Sequence, residues 1–164
     1  MPAMTKAQLH DFLMRPNIAK IATIDDDGSP YIVPVWYHWD GRFLYMAGRK
    51  RSEWVGYIAK RPRVAVLVDE IVPPLRRVLF TGKAELVEPG PEWKEYSASV
   101  SKKYMGESGD TYARDSSDQP RRFVRVTPSK IVTWVEGEGR EQWHHRYYEP
   151  GSKWHREYHG QAAP

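Results

Sequence analysis

Two aspartate–glycine turns, Asp25-Asp26-Asp27-Gly28 and Asp40-Gly41, punctuate three short strand-forming runs and direct them into consecutive hairpins. Residues 18–24 (IAKIATI) are β-branched and alternating, residues 31–39 (YIVPVWYHW) supply the return strand, and residues 42–47 (RFLYMA) the third. Connections this short join antiparallel strands only, because a parallel crossover needs a dozen residues or more. An antiparallel meander is therefore the starting unit of the fold. Further along, residues 64–68 (VAVLV) read as a continuous apolar strand of the kind buried on both faces. Residues 76–87 (RRVLFTGKAELV) read as a long strand with a bulge at Gly82, and residues 123–135 as a last strand kinked at Pro128.

Helices are expected at three places. The first follows Thr5 as N-cap, carries Leu9, Phe12 and Leu13 on one face and stops at Pro16. Ser52 caps a second that runs to about Lys60, with Trp54, Val55 and Ile58 at helical spacing. Pro91 opens a third, through about Tyr104, whose stripe is Trp93, Tyr96 and Val100. Residues 105–120 are rich in Gly, Ser and Asp and read as a long surface loop. Six strands, mostly antiparallel, with inserted helices predict a mainly β fold closed as a small barrel.

A chain of 164 residues suits one domain, 1–164, with an N-terminal helix in about 1–17 and a tail over about 138–164 that has no clear period. Charged residues at 28% and hydrophobic ones at 40% argue against disorder and against a membrane span. The absence of cysteine excludes disulfides, thiol catalysis and Cys-ligated metals, so any redox work needs a bound cofactor. The first residues lack the apolar core of a secretory signal, which makes the cytoplasm the default address. A net charge of +4 singles out no partner; the local clusters of cations say more.

One cluster is Arg49, Lys50, Arg51 and Ser52, at a helix N-terminus, where backbone N–H groups, the helix dipole and guanidinium groups all favour an anion such as phosphate. Its bland reading is a solvated basic loop. Arg76-Arg77 is the second, at the start of a strand whose neighbouring residues face opposite ways, so that only one of the two enters a given site. Charge that guards a strand edge explains that pair equally well. Trp36, Tyr37 and Trp39, with Trp134 and Trp143, offer flat walls for a planar ligand, although core packing is the more frequent use of each. His144, His145, His155 and His159 show no helical pair with a supporting acid, so no metal site is expected. Neither a nucleophile elbow, a phosphate loop nor a dinucleotide fingerprint is present.

Taken in order, A-T-x-x-x-x-G-x-P, V-P-V-W-Y, a basic loop with a helix, P-R-V and R-x-V-x-x-x-G-x-A-E resemble the pyridoxamine 5'-phosphate oxidase-like superfamily of FMN-binding split β-barrels, which includes flavin and deazaflavin oxidoreductases. The resemblance covers about residues 18–88, with a fainter echo over 122–147. It implies a six-stranded antiparallel split barrel, a homodimer, and a cofactor in the groove between subunits. By the same resemblance Arg49, Lys50, Arg51 and Ser52 hold the cofactor phosphate, with Trp54 where the family has a clamping Lys. Arg76, Arg77 and Val78 match its Arg-Gln-Val element, and Val35, Trp36 and Tyr37 lie along the flavin ring. Tyr37, Trp134 and Arg140 are the implied substrate contacts. The oxidase proper carries Arg and Lys at the positions of Ile32 and Tyr37, Gln at Arg77 and a late Arg at Gln142, unless Arg140 takes over that role. These departures point to a substrate other than pyridoxamine phosphate.

The expected function is an FMN-dependent oxidoreductase, with F420 as the alternative cofactor; Lys50, Arg51 and Lys83 would favour its longer acidic tail. No side chain stands out as an obligatory acid or base. A non-catalytic split barrel that binds flavin or haem is the second class. Nucleic-acid binding through Arg121, Arg122 and Arg125 is the third and weakest.

Overall fold

The computed structural model describes residues 4–71, 75–88, 90–115 and 120–135. Its frame is a seven-stranded sheet in the order β2-β1-β5-β6-β7-β4-β3. The strands are β1 (Ala19–Ile24), β2 (Pro30–Val35), β3 (Tyr37–Trp39), β4 (Leu44–Arg49), β5 (Arg63–Asp69), β6 (Arg77–Val87) and β7 (Arg121–Trp134). Every neighbouring pair is antiparallel. The helices are α1 (Lys6–Met14), α2 (Glu53–Lys60), α3 (Pro91–Met105) and α4 (Gly109–Asp115).

The sheet's two ends, β2 and β3, are separated in the chain by Trp36 alone. Chain continuity therefore obliges the sheet to curl until its edges lie side by side, the geometry of a split barrel. One strand more is present than the six expected, and for the same reason. The run 31–39 divides at Trp36: Pro30–Val35 pairs with β1, whereas Tyr37–Trp39 pairs with β4. A continuous strand could not serve both ends of one curled sheet.

The hairpin turns form where the aspartates put them. Asp25 Oδ1 accepts the amides of Asp27 and Ser29 at 3.2 and 2.8 Å, and Asp40 Oδ1 accepts those of Arg42 and Phe43 at 2.7 and 2.6 Å. Each turn ends on a glycine at positive φ, 92° at Gly28 and 96° at Gly41. At Gly82 the expected bulge is present as a register shift between Thr81 and Gly82, opposite Pro128. Strand β5 departs from expectation. It alternates, with Val64, Val66 and Val68 buried and Ala65 and Leu67 half-buried, because no helix layer covers its outer face completely. The segment read as a loop over 105–120 contains α4, preceded by a 3-10 turn at Gly106–Ser108. A side chain at Gly109 would place its Cβ 2.8 Å from the Ser101 backbone, so the glycine lets α4 pack closely against α3. Local composition registered the glycines there, and tertiary packing decided the helix.

Two clusters share the burial. Inside the barrel lie Phe12 and Leu13 of α1, Tyr37, Leu44 and Met46, Trp54, Val55 and Ile58 of α2, and the inner residues of β5, β6 and β7. Across the outer face of β4 and β7, α3 sets the aromatic rings of Trp93 and Tyr96 and the side chain of Val100 against Tyr45, with Trp36, Tyr104 and Phe123 packed beside them. Strand β4 is accordingly covered on both faces. No helix among the described residues is long and apolar enough to cross a membrane.

One cation joins these layers. Lys103 of α3 donates to the Leu13 carbonyl at 2.8 Å and the Tyr37 carbonyl at 3.4 Å, and its ammonium sits 3.5 Å from the Tyr37 ring centroid. Burial among these groups and Tyr104 pulls its pKa from 10.5 to about 7. The folded chain then binds fewer protons than the unfolded chain between those two values, so stability rises with pH across that window. We expect the melting temperature to climb between pH 7 and pH 9, a gain of about 1–2 kcal/mol. Lys103→Met should flatten that climb. An equal climb in the variant would assign the dependence to another group.

Candidate functional site

The site begins where β4 leaves the sheet. A tight turn, with the Ser52 amide donating to the Arg49 carbonyl at 2.9 Å, carries Arg49 into α2. Ser52 occupies the N-cap position but its hydroxyl makes no capping hydrogen bond, which leaves a donor–acceptor group at the helix N-terminus for a ligand. Just before the turn, Gly48 lets α2 close down on the strand. A Cβ there would lie 2.5 Å from Val55 Cγ2 and 2.8 Å from Trp54 Cζ2. Trp54 is consequently pressed over the backbone at the floor of a groove.

That groove has a volume of about 460 Å³, within the usual span of small-molecule sites. Val35 and Trp36 form one wall, Arg49 and Ser52 the rim, and Tyr96, Tyr112 and Arg121 the opposite side. No carboxylate lines it among the described residues. Arg49 and Arg121 are register partners on β4 and β7, and neither has an ion pair among the described residues. Some cations elsewhere are matched with acids: Lys20 with Asp69, Lys60 and Arg61 with Asp26, Arg125 with Glu85. Others, such as Arg42, Arg63 and Lys83, form no ion pair among the described residues, so it is the setting of Arg49 and Arg121 above aromatic rings that distinguishes these two. Uncompensated guanidinium groups above an aromatic slot suit a ligand with an anionic end and a flat ring.

The aromatic wall is braced. The Trp36 indole stacks on Tyr104, centroids 4.8 Å apart and 6° from parallel, and tilts at 55° against Tyr112 at 5.3 Å. Tyr104 donates to the Asn17 carbonyl at 2.9 Å, which anchors the stack to the segment before β1. Burial raises the phenol pKa of Tyr96 and of Tyr104, so both stay protonated at any physiological pH.

Five residues singled out from the sequence meet in this groove: Val35, Trp36, Arg49, Ser52 and Trp54. Lys50 lines an adjoining groove, and Arg51 is exposed on the turn. Tyr37 follows Trp36 but points to the opposite side of the strand, fully buried, its hydroxyl donating to the Leu13 carbonyl at 3.0 Å. Arg76, Arg77, Val78 and Trp134 gather elsewhere. Arg76 is locked to Glu70 at 2.6 Å, Arg77 lies 5.5 Å above the Trp134 ring, and Val78 is buried in the core. Burial raises the Glu70 pKa, but the Arg76 hydrogen bonds and the charges of Arg76 and Arg15 outweigh it and keep the carboxyl below its ordinary value. Arg77 pairs with Trp134 at one end of β7 and Arg49 with Arg121 at the other. The 14 residues of that strand separate them, on the order of 40 Å of contour at about 3.3 Å per residue. Arg140 and the histidine-rich tail lie outside the described residues.

Sequence reasoning missed Tyr96, Tyr112 and Arg121 as groove residues. Tyr96 was legible only as part of a helix stripe, and Tyr112 lay in the segment read as loop. Arg121 figured as a nucleic-acid contact because nothing local ties β7 to β4.

Residues 5–135 match the family profile described as pyridoxamine 5'-phosphate oxidase. The chain belongs to that family. No curated protein matches it. Among solved structures, a conserved hypothetical protein from Mycobacterium tuberculosis aligns with this family member at a TM-score of 0.70 and 26% identity, over 81% of this chain and 86% of the other. An F420 reductase aligns at a TM-score of 0.57 and 22% identity, over 74% of this chain and 94% of its own. A heme storage protein from Vibrio cholerae aligns at 0.61 and 17% identity, covering 80% and 94%. The last two likenesses are of fold.

Proposed function

We propose that the chain is a flavin-dependent oxidoreductase that binds FMN, or the deazaflavin F420, in the groove between β2, β4 and α2. The observation that carries this reading is the junction of two uncompensated arginines, an unused Ser52 hydroxyl and a helix N-terminus above an aromatic slot with no carboxylate among the described residues. Arg49, Arg121 and Ser52 would hold the phosphate, and Lys50 and Arg51 would add to the positive field. Val35, Trp36 and Trp54 would flank the ring, while Tyr37 contributes only its strand backbone. Bound there, the flavin would supply hydride transfer, and the protein's part is to anchor it, orient it and exclude water.

Arg77 and Trp134 stand at the far end of β7 from Arg121, and Val78 is level with Val35 three strands away in the sheet register, so none of these residues lines the groove. In a homodimer, a second copy can present that end of its barrel to the first copy's groove. The family element around Arg77 and the substrate contacts assigned to Trp134 and Arg140 would then come from the second subunit. Ile32, 63% exposed on β2, and Ile131, 40% exposed on β7, offer apolar surface for such an association. Pyridoxamine phosphate is not the proposed substrate, because Ile32, Tyr37 and Gln142 replace the residues that would address it.

Retention of haem is the competing binding reading, prompted by the Vibrio cholerae relative in fold. No histidine, methionine or cysteine lines the groove among the described residues, which disfavours axial ligation of an iron there. The absorption spectrum of the purified protein tests the choice. A flavin band, released on heating with the mass of FMN, supports the first cofactor, and selective retention of F420 the second; a Soret band instead would refute both. Bound flavin that neither NADH nor NADPH reduces, and that no substrate reoxidises, would refute the enzyme reading.

A further inference from the structure

A groove of about 530 Å³, larger than the one beside Arg49, lies beside the bulge at Gly82, on the outer face of β5, β6 and β7. The two grooves share no lining residue. Along its polar side the register sets Arg63 opposite Lys83, and Lys83 opposite Thr127. A guanidinium, an ammonium and a hydroxyl thus stand in one row across three strands, with about 4.8 Å between neighbouring backbones. All three residues are exposed, whereas the next along each strand (Val64, Ala84 and Val126) is buried. Like charges directly opposite each other on paired strands repel and weaken the sheet. Among the described residues two register pairs are of this kind, Arg49 with Arg121 and Arg63 with Lys83, and each pair lines a groove. The other opposed charges are of unlike sign, Asp69 with Arg77 and Glu85 with Arg125. Glu85 also lines this groove, but Arg125 holds its Oε1 through hydrogen bonds of 3.0 and 2.9 Å. The repulsion between Arg63 and Lys83 is therefore left without an acid of its own.

We propose that the row Arg63, Lys83 and Thr127 is a second, separate anion site, which binds the phosphate group of a small phosphorylated polyol. A dianion placed between Arg63 and Lys83 turns one repulsion into two attractions, and it accepts a further hydrogen bond from the Thr127 hydroxyl. Phosphate suits the row better than carboxylate. Its tetrahedral oxygens meet donors that converge from three strands, whereas a planar carboxylate offers two oxygens and a single charge. The remaining wall suits hydroxyl groups. Glu85 Oε2 is not used by Arg125 and can accept from one, and Ser129 Oγ, which donates to the Thr81 carbonyl at 3.0 Å, can accept from another. Pro62 and Pro128 give the carbon skeleton an apolar shelf, and the Ala84 amide fixes the first of them by donating to the Pro62 carbonyl at 2.7 Å. The site is independent of the flavin reading, because no residue serves both grooves.

The test titrates the full chain with glycerol 3-phosphate and with inorganic phosphate, followed by amide chemical shifts. Residue-by-residue readout keeps this site apart from the groove at Arg49 and Arg121, which also attracts anions. Saturable shifts are expected at Lys83 and Thr127 with both ligands. Glycerol 3-phosphate should bind there at least about threefold more tightly, the worth of one further hydrogen bond. Lys83→Gln should weaken both at least about tenfold, and Thr127→Val should weaken both by less, while the shifts at Arg49 and Ser52 persist. Both side chains are exposed and lie outside the core, so the fold survives either change. In phosphate-free buffer at low salt Lys83→Gln should also raise the melting temperature, because it relieves the opposed charges. Shifts confined to residues 49–52, or an affinity that Lys83→Gln leaves unchanged, overturn the site. Equal affinity for the two ligands overturns its assignment to a polyol, and a melting temperature lowered by Lys83→Gln overturns the reading of the pair as repulsive. Salt-dependent shifts at Lys83 and Thr127 with an oligonucleotide, at concentrations where glycerol 3-phosphate gives none, would hand the row to nucleic acid and overturn the proposal.

Discussion

Alanine at both Arg49 and Ser52 is expected to weaken FMN binding by at least about 100-fold and to leave the melting temperature of the cofactor-free protein unchanged. The size follows from two lost hydrogen bonds to a dianion, each worth about 1.5–3 kcal/mol. The unaltered stability follows from the structure: Arg49 is exposed with no ion pair among the described residues, and the Ser52 hydroxyl makes no capping bond. Removing side chains that hold nothing in the folded chain should cost the fold nothing. Isothermal titration and a thermal melt on the same sample separate the two effects. Undiminished affinity would mean that the phosphate clamp lies elsewhere, with the Arg77 end of the barrel the next place to look.

Gly82→Ala should be the most damaging single methyl group that can be added to the sheet. A Cβ at Gly82 would sit 2.1 Å from the Thr127 carbonyl oxygen and 2.9 Å from Pro128 Cα. Both are backbone atoms of the paired strand, so no side-chain rotation relieves the clash. The bulge has to open, and with it the hydrogen bond from Ser129 Oγ to the Thr81 carbonyl at 3.0 Å. We expect a loss of about 3 kcal/mol or more, read by denaturant unfolding. Gly56→Ala is the matched control. Gly56 lies in α2, and a Cβ there has nothing within 4 Å. That variant should gain up to about 1 kcal/mol from helix propensity. If the two substitutions have similar effects, the close approach at Gly82 carries no energetic weight.

The difference between these two glycines marks how far local reading extends. Gly82 is recognisable as a bulge because an isolated glycine in a long strand pattern has few other uses. That the atom it makes room for is the Thr127 carbonyl depends on β6 pairing with β7, some 45 residues later in the chain, which no local pattern specifies. The same division separates Trp36 from Tyr37. Both read as aromatic residues of one strand with equal claims on a flavin. Only the curl of the sheet, which breaks the run at Trp36, sends Trp36 to the groove and Tyr37 to the core.

By itself the sequence determined the two tight hairpins, though not that the expected meander would break at Trp36 and send them to opposite ends of the sheet, together with the three amphipathic helices with their buried faces, the bulge and the basic turn of residues 49–52. Each depends on residues close together in the chain: turn geometry, capping, and the periods of 2 and 3.6. Tertiary structure alone decided which cations share a site. The β4–β7 pairing sets Arg121 against Arg49, whereas the span of β7 holds Arg77 and Trp134 far from both. Charge clusters along a chain are local, but a binding site is defined by distances across strands, and those are settled only when the sheet's register and curvature are.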